Sequence, residues 1–432
     1  MIHNSLPRRP ANRWLRPAAI ALLLVLSLFV LVRGVVPGFS AIHSDFPNYF
    51  TAARIVAEGG PTERLYDDGW FEEQIHREFP GVDVHGKFAP FPPSTALLLL
   101  PLSRLSPLAA LRVTNLVNLL CLALSIWLLA RIVPLTLLHA AVLALLSAYS
   151  ICSALRLGQP YIVVSASCLG GYYLWSRNRP LLAGLCWGIF LPIKYFPAFI
   201  LIYLALRRQW RAVLGGLLAT VAVVLAGVGV LGWKVHEVFL SSVLVDHLTA
   251  NINHSPFSAA FQSFDTLFRR LFVFDATDNP HPWIASPALY PAAVMLVKAS
   301  VLVITVTTLV RLARNDPADS TAPSLGLLGI VLLLIAPATA SYYLVLLWLP
   351  VGLLVGCFLR ERARVEAALL LGSYALLGFF PNGYTARFEG RGGLSVLAYP
   401  RLFLLVAMFS TCVYFMWRRV PSTAQTAAAP TC

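Results

Sequence analysis

Residues 180–206 read PLLAGLCWGIFLPIKYFPAFILIYLAL, an apolar stretch interrupted by one charge, Lys194. Pro192 and Pro197 bracket that lysine, and each removes a backbone donor and breaks or kinks a helix. Residues 180–192 and 195–206 are each too short for an ordinary membrane span of about 20 residues. Two short tilted helices meeting at a polar tip satisfy these facts; one kinked helix is the alternative. The choice decides which side of a membrane everything downstream occupies. As two crossings, the pair puts Arg207, Arg208 and Arg211 on the same side as Arg8, Arg9, Arg13 and Arg16, in keeping with the excess of cations in cytoplasmic loops. A single crossing puts them opposite, so the pair is preferred.

The apolar character extends along the chain. Runs near 17–36, 107–130, 135–153, 159–175, 180–192, 195–206, 211–232, 288–311, 323–338, 342–359, 365–380 and 395–417 predict about twelve membrane segments. The fold class expected is all-α, a polytopic transmembrane helical bundle. With 432 residues, 58% hydrophobic and 12% charged, and a mean hydropathy of +0.74, the chain has more apolar surface than a soluble core can hide. A net charge of +14 would suit nucleic acid in a soluble protein. Here the cations sit at the ends of apolar runs, where they fix orientation, and no nucleic-acid partner is expected.

With the N-terminus cytoplasmic, the inner segments also collect Arg131, Arg177, Arg179, Arg311, Arg314, Arg360, Arg362, Arg364, Arg418 and Arg419, and the C-terminus is cytoplasmic too. Of 19 acids only Asp316, Asp319, Glu361 and Glu366 join them, so 15 lie outside and carboxylate chemistry belongs to the outer face. The arginines ahead of Ala18–Val32 resemble a secretory signal but lack a small-residue cleavage site, which makes this run an uncleaved first span. Seven cysteines, mostly within apolar runs and with no CxxC pair, give neither a disulfide framework nor a zinc site. Two outer loops are long, about 37–92 and 233–287; neither is large enough for a sizeable core of its own, and the inner loops are too short for a cytoplasmic domain. The expected organisation is one membrane domain over 1–420 and a disordered tail over 421–432.

The first outer loop contains His43–Asp67, HSDFPNYFTAARIVAEGGPTERLYD. Phe46, Tyr49, Phe50, Ala53 and Val56 recur at helical spacing, predicting an amphipathic helix along the bilayer surface with Asp45 at its start. A second amphipathic stretch follows, with Phe71, Ile75 and Phe79 on one face and Glu72, Glu73, His76 and Arg77 on the other. A carboxylate at the water-lipid boundary suits a general base; capping of the helix by Ser44 or Asp45, with Pro47 in the first turn, is the plainer role. Asp-Phe followed by Tyr, then Ala-Ala-Arg, a Gly turn and Leu-Tyr-Asp resembles the first extramembrane loop of glycosyltransferase family 87. The resemblance implies the fold of type-C, polyprenyl-phosphate-sugar-dependent membrane glycosyltransferases, many of them mannosyltransferases, with the loop acid Asp45 as catalytic base.

Other positions carry the resemblance further. Lys194 opens KYFP, similar to the family's Lys-x-x-Pro segment. A lone ammonium there marks a polar cavity or an anionic ligand, or else snorkels to the interface or pairs with an acid; the resemblance implies donor phosphate. Gly158-Gln159 resembles the family's Gly-Gln motif, with Gln159 toward sugar or phosphate; Arg156 beside it suits phosphate or lipid headgroups. Phe261-Gln262-Ser263-Phe264 resembles a segment that usually has Asn ahead of Gln-Ser, where this chain has Phe261. Ala340-Ser341-Tyr342-Tyr343 falls where the family often has a His, absent here; Tyr342 and Tyr343 are interfacial aromatics, or one of them stacks on a sugar. Arg387, with Tyr384, Glu389 and Arg391, makes a salt-bridged loop or meets donor phosphate. Tyr49, Gln262 and His254 are candidates on the acceptor side, and Asn253-His254-Ser255 also fits a glycan-acceptor triplet.

The chain has no Asp-x-Asp, Walker, dinucleotide or HExxH motif, which disfavours nucleotide-sugar and ATP-driven chemistry. His43 and Asp45 are too few for a metal site, so no cofactor and no metal are expected. The expected activity is inverting transfer of a sugar, mannose by resemblance, from polyprenyl phosphate to a lipid or glycan acceptor, on the outer face of a bacterial plasma membrane. Its rivals are a flippase for lipid-linked sugars, which would bury functional charges midway through spans, and a non-catalytic membrane scaffold.

Overall fold

A computed structural model describes residues 15–82, 84–248, 256–317, 319–380 and 382–419. His254 and the tail at 421–432 lie outside the described residues. Apart from one isolated bridge between Asp275 and Asn279, all regular structure among the described residues is helical. The first apolar run forms α1 (Arg16–Ser40) and the acidic stretch after it α2 (Phe46–Ala57) and α3 (Asp68–Glu78). Then come α4 (Pro107–Ile132), α5 (Leu137–Leu145) and α6 (Ala148–Arg156), with a 66° bend between the last two. α7 (Tyr161–Ser176), α8 (Pro180–Gly188), α9 (Ala198–Leu206) and α10 (Trp210–Leu231) follow. After the second long loop, which holds α11 (Phe264–Phe272), the chain runs through α12 (Leu289–Asn315), α13 (Thr321–Ile335), α14 (Ser341–Arg360), α15 (Arg364–Leu377) and α16 (Pro400–Arg418).

Six of these helices, α1, α4, α10, α12, α14 and α16, are individually long and apolar enough to cross a membrane, and seven spans result if the bent pair α5–α6 counts as one. The other apolar runs form shorter helices. At about 1.5 Å per residue, α8 and α9 are each about 14 Å long, half the thickness of a hydrocarbon core. They are two separate helices, and Lys194 stands in the turn between them. Glycine lets this hairpin seat deeply against α10. A Cβ at Gly184 would lie 2.0 Å from the Ala212 carbonyl oxygen, and one at Gly188 would lie 2.1 Å from that of Gly216. Backbone therefore meets backbone, the close approach that small residues permit where lipid supplies no hydrophobic drive.

The bundle has two chemically distinct ends. At one, Arg419 pairs with Asp316 at 3.2 Å and Glu361 at 2.6 Å, Arg418 pairs with Glu366 at 3.0 Å, and Arg207 donates to the Ser320 hydroxyl at 2.8 Å. α13 leaves this end and α14 and α16 return to it. At the other end lie Gln159, Lys194, Tyr342 and the pairing of the Gln262 amide with the Thr339 carbonyl at 2.9 Å.

The long first loop departs from the expected interfacial helix. Besides Phe46, Tyr49, Phe50 and Ala53, α2 buries Asn48, Thr51 and Ala52, so little of it faces outward. Phe71 and Ile75 of α3, with Phe79 and Phe88 beyond it, enclose α2 in an apolar cluster separate from that of the bundle. The loop builds more of a core than its length suggests because Ala110 and Leu111 of α4, and Leu231 at the end of α10, are lent to it. The second amphipathic stretch is as read: Phe71, Ile75 and Phe79 are buried while Glu73, His76 and Arg77 are exposed.

Candidate active site

Asp45 occupies the N-cap position of α2, with Pro47 in the first turn, yet its side chain caps no backbone amide. The helix start is fixed by the proline and by buried Phe46, which leaves the half-buried carboxylate available elsewhere. Three donors converge on it. The Gln159 Nε2 donates to Oδ2 at 2.6 Å, the Ser44 hydroxyl donates to Oδ1 at 3.2 Å, and the Tyr342 hydroxyl hydrogen-bonds to the same carboxylate. A carboxylate has about four lone-pair positions, so capacity remains for a further hydroxyl.

The amide of Gln159 reaches Asp45 because the chain turns sharply at Gly158. Gly158 has φ +61°, and a Cβ there would lie 2.7 Å from Cδ2 of Phe46, so both conformation and space demand glycine. Two buried asparagines of α4 hold the turn. Asn115 donates to the carbonyls of Gly38 at 2.7 Å and Leu155 at 2.9 Å, and Asn118 donates to that of Gln159 at 3.2 Å. Through these donated hydrogen bonds the two amides tie α1, α4 and the α6–α7 turn into one frame.

Lys194 arrives from the hairpin tip. Its ammonium donates to the Tyr49 hydroxyl at 3.1 Å and lies over the rings of Phe91 at 4.4 Å and Tyr161 at 4.9 Å. The Tyr49 hydroxyl in turn donates to Oε1 of Gln159 at 2.8 Å. A continuous chain therefore runs from Lys194 through Tyr49 and Gln159 to Asp45. Burial, and secondarily the Asp45 charge, push the Tyr49 phenol well above its ordinary pKa, which keeps it protonated as the donor this chain requires. His43 is shifted the other way, its pKa lowered by burial and then by the nearby Arg156 guanidinium.

Asp45, Asn48, Lys194, Tyr161, Tyr342 and Tyr343 line one cavity of about 650 Å³. The lining also includes apolar side chains, Ile193 and Phe196 of the hairpin, Leu332, Leu333 and Ile335 of α13 and Leu346 of α14. Glu72, His85, Gly86 and Lys87 form a polar rim. A space lined by both polar and apolar side chains accommodates an amphiphile.

Of the residues singled out in the sequence, Asp45, Tyr49, Gln159, Lys194 and Tyr342 come together. Arg156 and Arg387 do not: both are exposed, and neither lines the cavity. Gln262 is buried, and its side chain is spent within the fold. Its Nε2 donates to the carbonyls of Ala259 at 2.6 Å and Ala398 at 2.9 Å, while its Oε1 accepts from the Arg401 backbone amide at 3.1 Å. At the position of the missing His, the Ser341 hydroxyl pairs with that of Ser153 at 2.8 Å, fastening the tyrosine segment to α6. Tyr343, read beside Tyr342 in the sequence, also lines the cavity, whereas Phe91 and Asn48 were not marked by the sequence. Nor was the group Glu72, His76 and His85, although Glu72 and His76 at a spacing of four carry a readable signal.

Among curated proteins and solved structures, no match is found. Residues 88–337, more than half of the chain, match the sequence model for glycosyltransferase family 87; they include Gln159 and Lys194, while Asp45 and Tyr342 fall on either side. The chain therefore belongs to glycosyltransferase family 87 and is a membrane glycosyltransferase.

Proposed function

We propose that this protein transfers a sugar, mannose, from a polyprenyl-phosphate donor to a hydroxyl of a lipid or glycan acceptor on the outer face of a bacterial plasma membrane. The observation that carries the reading is the joining of a carboxylate, Asp45, and a lysine amine, Lys194, at one cavity through Tyr49 and Gln159. The apolar side chains of α13 and Leu346 of α14 suit the first isoprene units of the donor, and the polar side chains of the lining suit its phosphate and sugar. The distribution of arginine supports the orientation, since the ion-paired basic end lies opposite the cavity.

In this mechanism Asp45 accepts the proton of the acceptor hydroxyl as its oxygen attacks the anomeric carbon. The bond from that carbon to the phosphate oxygen breaks, and the phosphate leaves with the electron pair, its charge stabilised by Lys194. A single displacement inverts the anomeric centre. Retention would need a second carboxylate as nucleophile, and the other acid lining the cavity, Glu72, is engaged with His85 at the rim. The chain's own side chains supply base and counter-charge, so no metal is required for the chemical step.

The test is Asp45→Asn in the purified full chain, assayed with polyprenyl-phosphate-mannose in lipid vesicles. Loss of a general base lowers the transfer rate about 10²- to 10⁴-fold, with thermal stability near that of the native protein because Asn still accepts from Gln159. A folded variant with the native rate removes Asp45 as the base. Flipping of the donor measured alongside, lost together with transfer, would instead favour a transporter.

A further inference from the structure

Glu72 and His76 stand one helical turn apart on the outward face of α3, and the chain beyond the helix returns to lay His85 over them. The His85 Nδ1 lies 2.6 Å from Oε1 of Glu72, and the rings of His76 and His85 are 5.8 Å apart at an interplanar angle of 76°. One ligand atom from each of the three lies within 4.8 Å of the others. Two ligands at 2.0–2.1 Å from a tetrahedral ion are about 3.4 Å apart. Closing the group around an ion therefore takes rotations that move the ligand atoms by about an ångström, and His85 and Glu72, with side chains 75% and 39% exposed, can rotate that far.

We propose that Glu72, His76 and His85 bind one zinc-class divalent cation at the rim of the cavity. Two imidazoles and one carboxylate are a donor set of zinc and of neighbouring first-row ions such as iron(II); magnesium and calcium take oxygen ligands almost exclusively. Three protein ligands leave a fourth position, and since Glu72 and His85 also line the cavity, that position faces a water or an oxygen of the molecule bound there. The ion clamps the segment after α3 onto the helix. His85 directly precedes Gly86 and Lys87, both at the rim, and Gly86 lies so close to α2 that a Cβ would fall 2.0 Å from Oδ1 of Asn48. This site stands on its own geometry and does not depend on the donor or acceptor assigned above.

The test is a calorimetric titration of tag-free, chelator-stripped full chain in detergent with zinc chloride. One equivalent binds to the native protein, magnesium chloride at the same concentration gives no matching heat, and His76→Ala and His85→Ala each weaken binding at least tenfold. His139→Ala, at the distant Thr136 turn, leaves the affinity unchanged. Circular dichroism verifies that the variants fold; should the alanine variants lose helicity, Glu72→Gln, which keeps the side-chain shape, shows the same loss of affinity. Absence of binding by the native chain, or stoichiometric binding that survives in the His76→Ala, His85→Ala double variant, overturns the proposal.

Discussion

The hydroxyl of Tyr49 is the joint on which the cavity's polar wall depends, because it accepts from Lys194 at 3.1 Å and donates to Gln159 at 2.8 Å. Tyr49→Phe keeps the ring stacked on Phe91, at a centroid distance of 4.8 Å, but strands a buried ammonium and a buried amide oxygen. An unsatisfied buried group costs about 1–3 kcal/mol, so thermal unfolding in detergent should report a loss of that order together with slower transfer. Native stability and rate in the phenylalanine variant would detach Tyr49 from the site. Gln159→Glu probes the other half of the chain. It sets a second carboxyl where the amide nitrogen now lies 2.6 Å from Asp45, and two carboxyls that close share a proton. The shared proton occupies the base at neutral pH, so transfer by this variant should be slower than native there, and the shortfall should narrow as pH rises. A native pH profile for Gln159→Glu would count against Asp45 as the base. Asp45, Gln159 and Lys194 were each legible in the sequence, one as an acid after a span, one as a polar break, one as a charge between prolines. Their union was not, because they stand on three elements far apart in the chain. Arg156 and Arg387 carried similar signals yet point to solvent, since charge in a sequence does not say which way a loop turns.

Among the elements, the α8–α9 hairpin was legible as a pair because its prolines and lysine interrupt an apolar run. What seats it was not legible, for glycines scattered in an apolar segment announce no partner until the helices are docked. Gly188→Leu forces side-chain atoms into the Gly216 carbonyl, which a Cβ alone would approach to 2.1 Å. Overpacking of this kind costs about 1–3 kcal/mol, and here it also displaces the tip that delivers Lys194. Gly229→Ala on α10 is the control, with no atom within 4 Å of the added Cβ; it should leave thermal stability unchanged or slightly raised. Equal behaviour of the two variants would contradict close seating of the hairpin. The burial of α2 was missed for a related reason. Its apolar spacing and that of α3 each read as a half-buried surface, and nothing in either pattern says that the two helices cover one another with α4 as the floor.

For the whole molecule, the segregation of charge read in the sequence reappears as two ends of a bundle, one ion-paired through Arg418 and Arg419 and the other holding the cavity. The apolar lengths alone leave the crossings open, since α7, α8, α9, α13 and α15 are shorter than the six helices that could span singly. Sidedness is accessible to experiment without settling the number of crossings. Glu73 on the cavity side and Arg364 at the start of α15 are both exposed. Of the native cysteines within the described residues, Cys121 and Cys186 are half-buried in apolar helices and the others are buried, so none competes strongly for a polar reagent. In a background with Cys432→Ser, a membrane-impermeant maleimide applied to intact cells should label Glu73→Cys directly and Arg364→Cys only after permeabilisation. In the proposed orientation the cationic loops are retained on the cytoplasmic side and the acid-rich rim faces out, where the proposed lipid-anchored donor and external acceptor would meet. Labelling of Arg364→Cys from outside, with Glu73→Cys protected, would invert the protein and place Asp45 in the cytoplasm, which is incompatible with the transfer proposed for it.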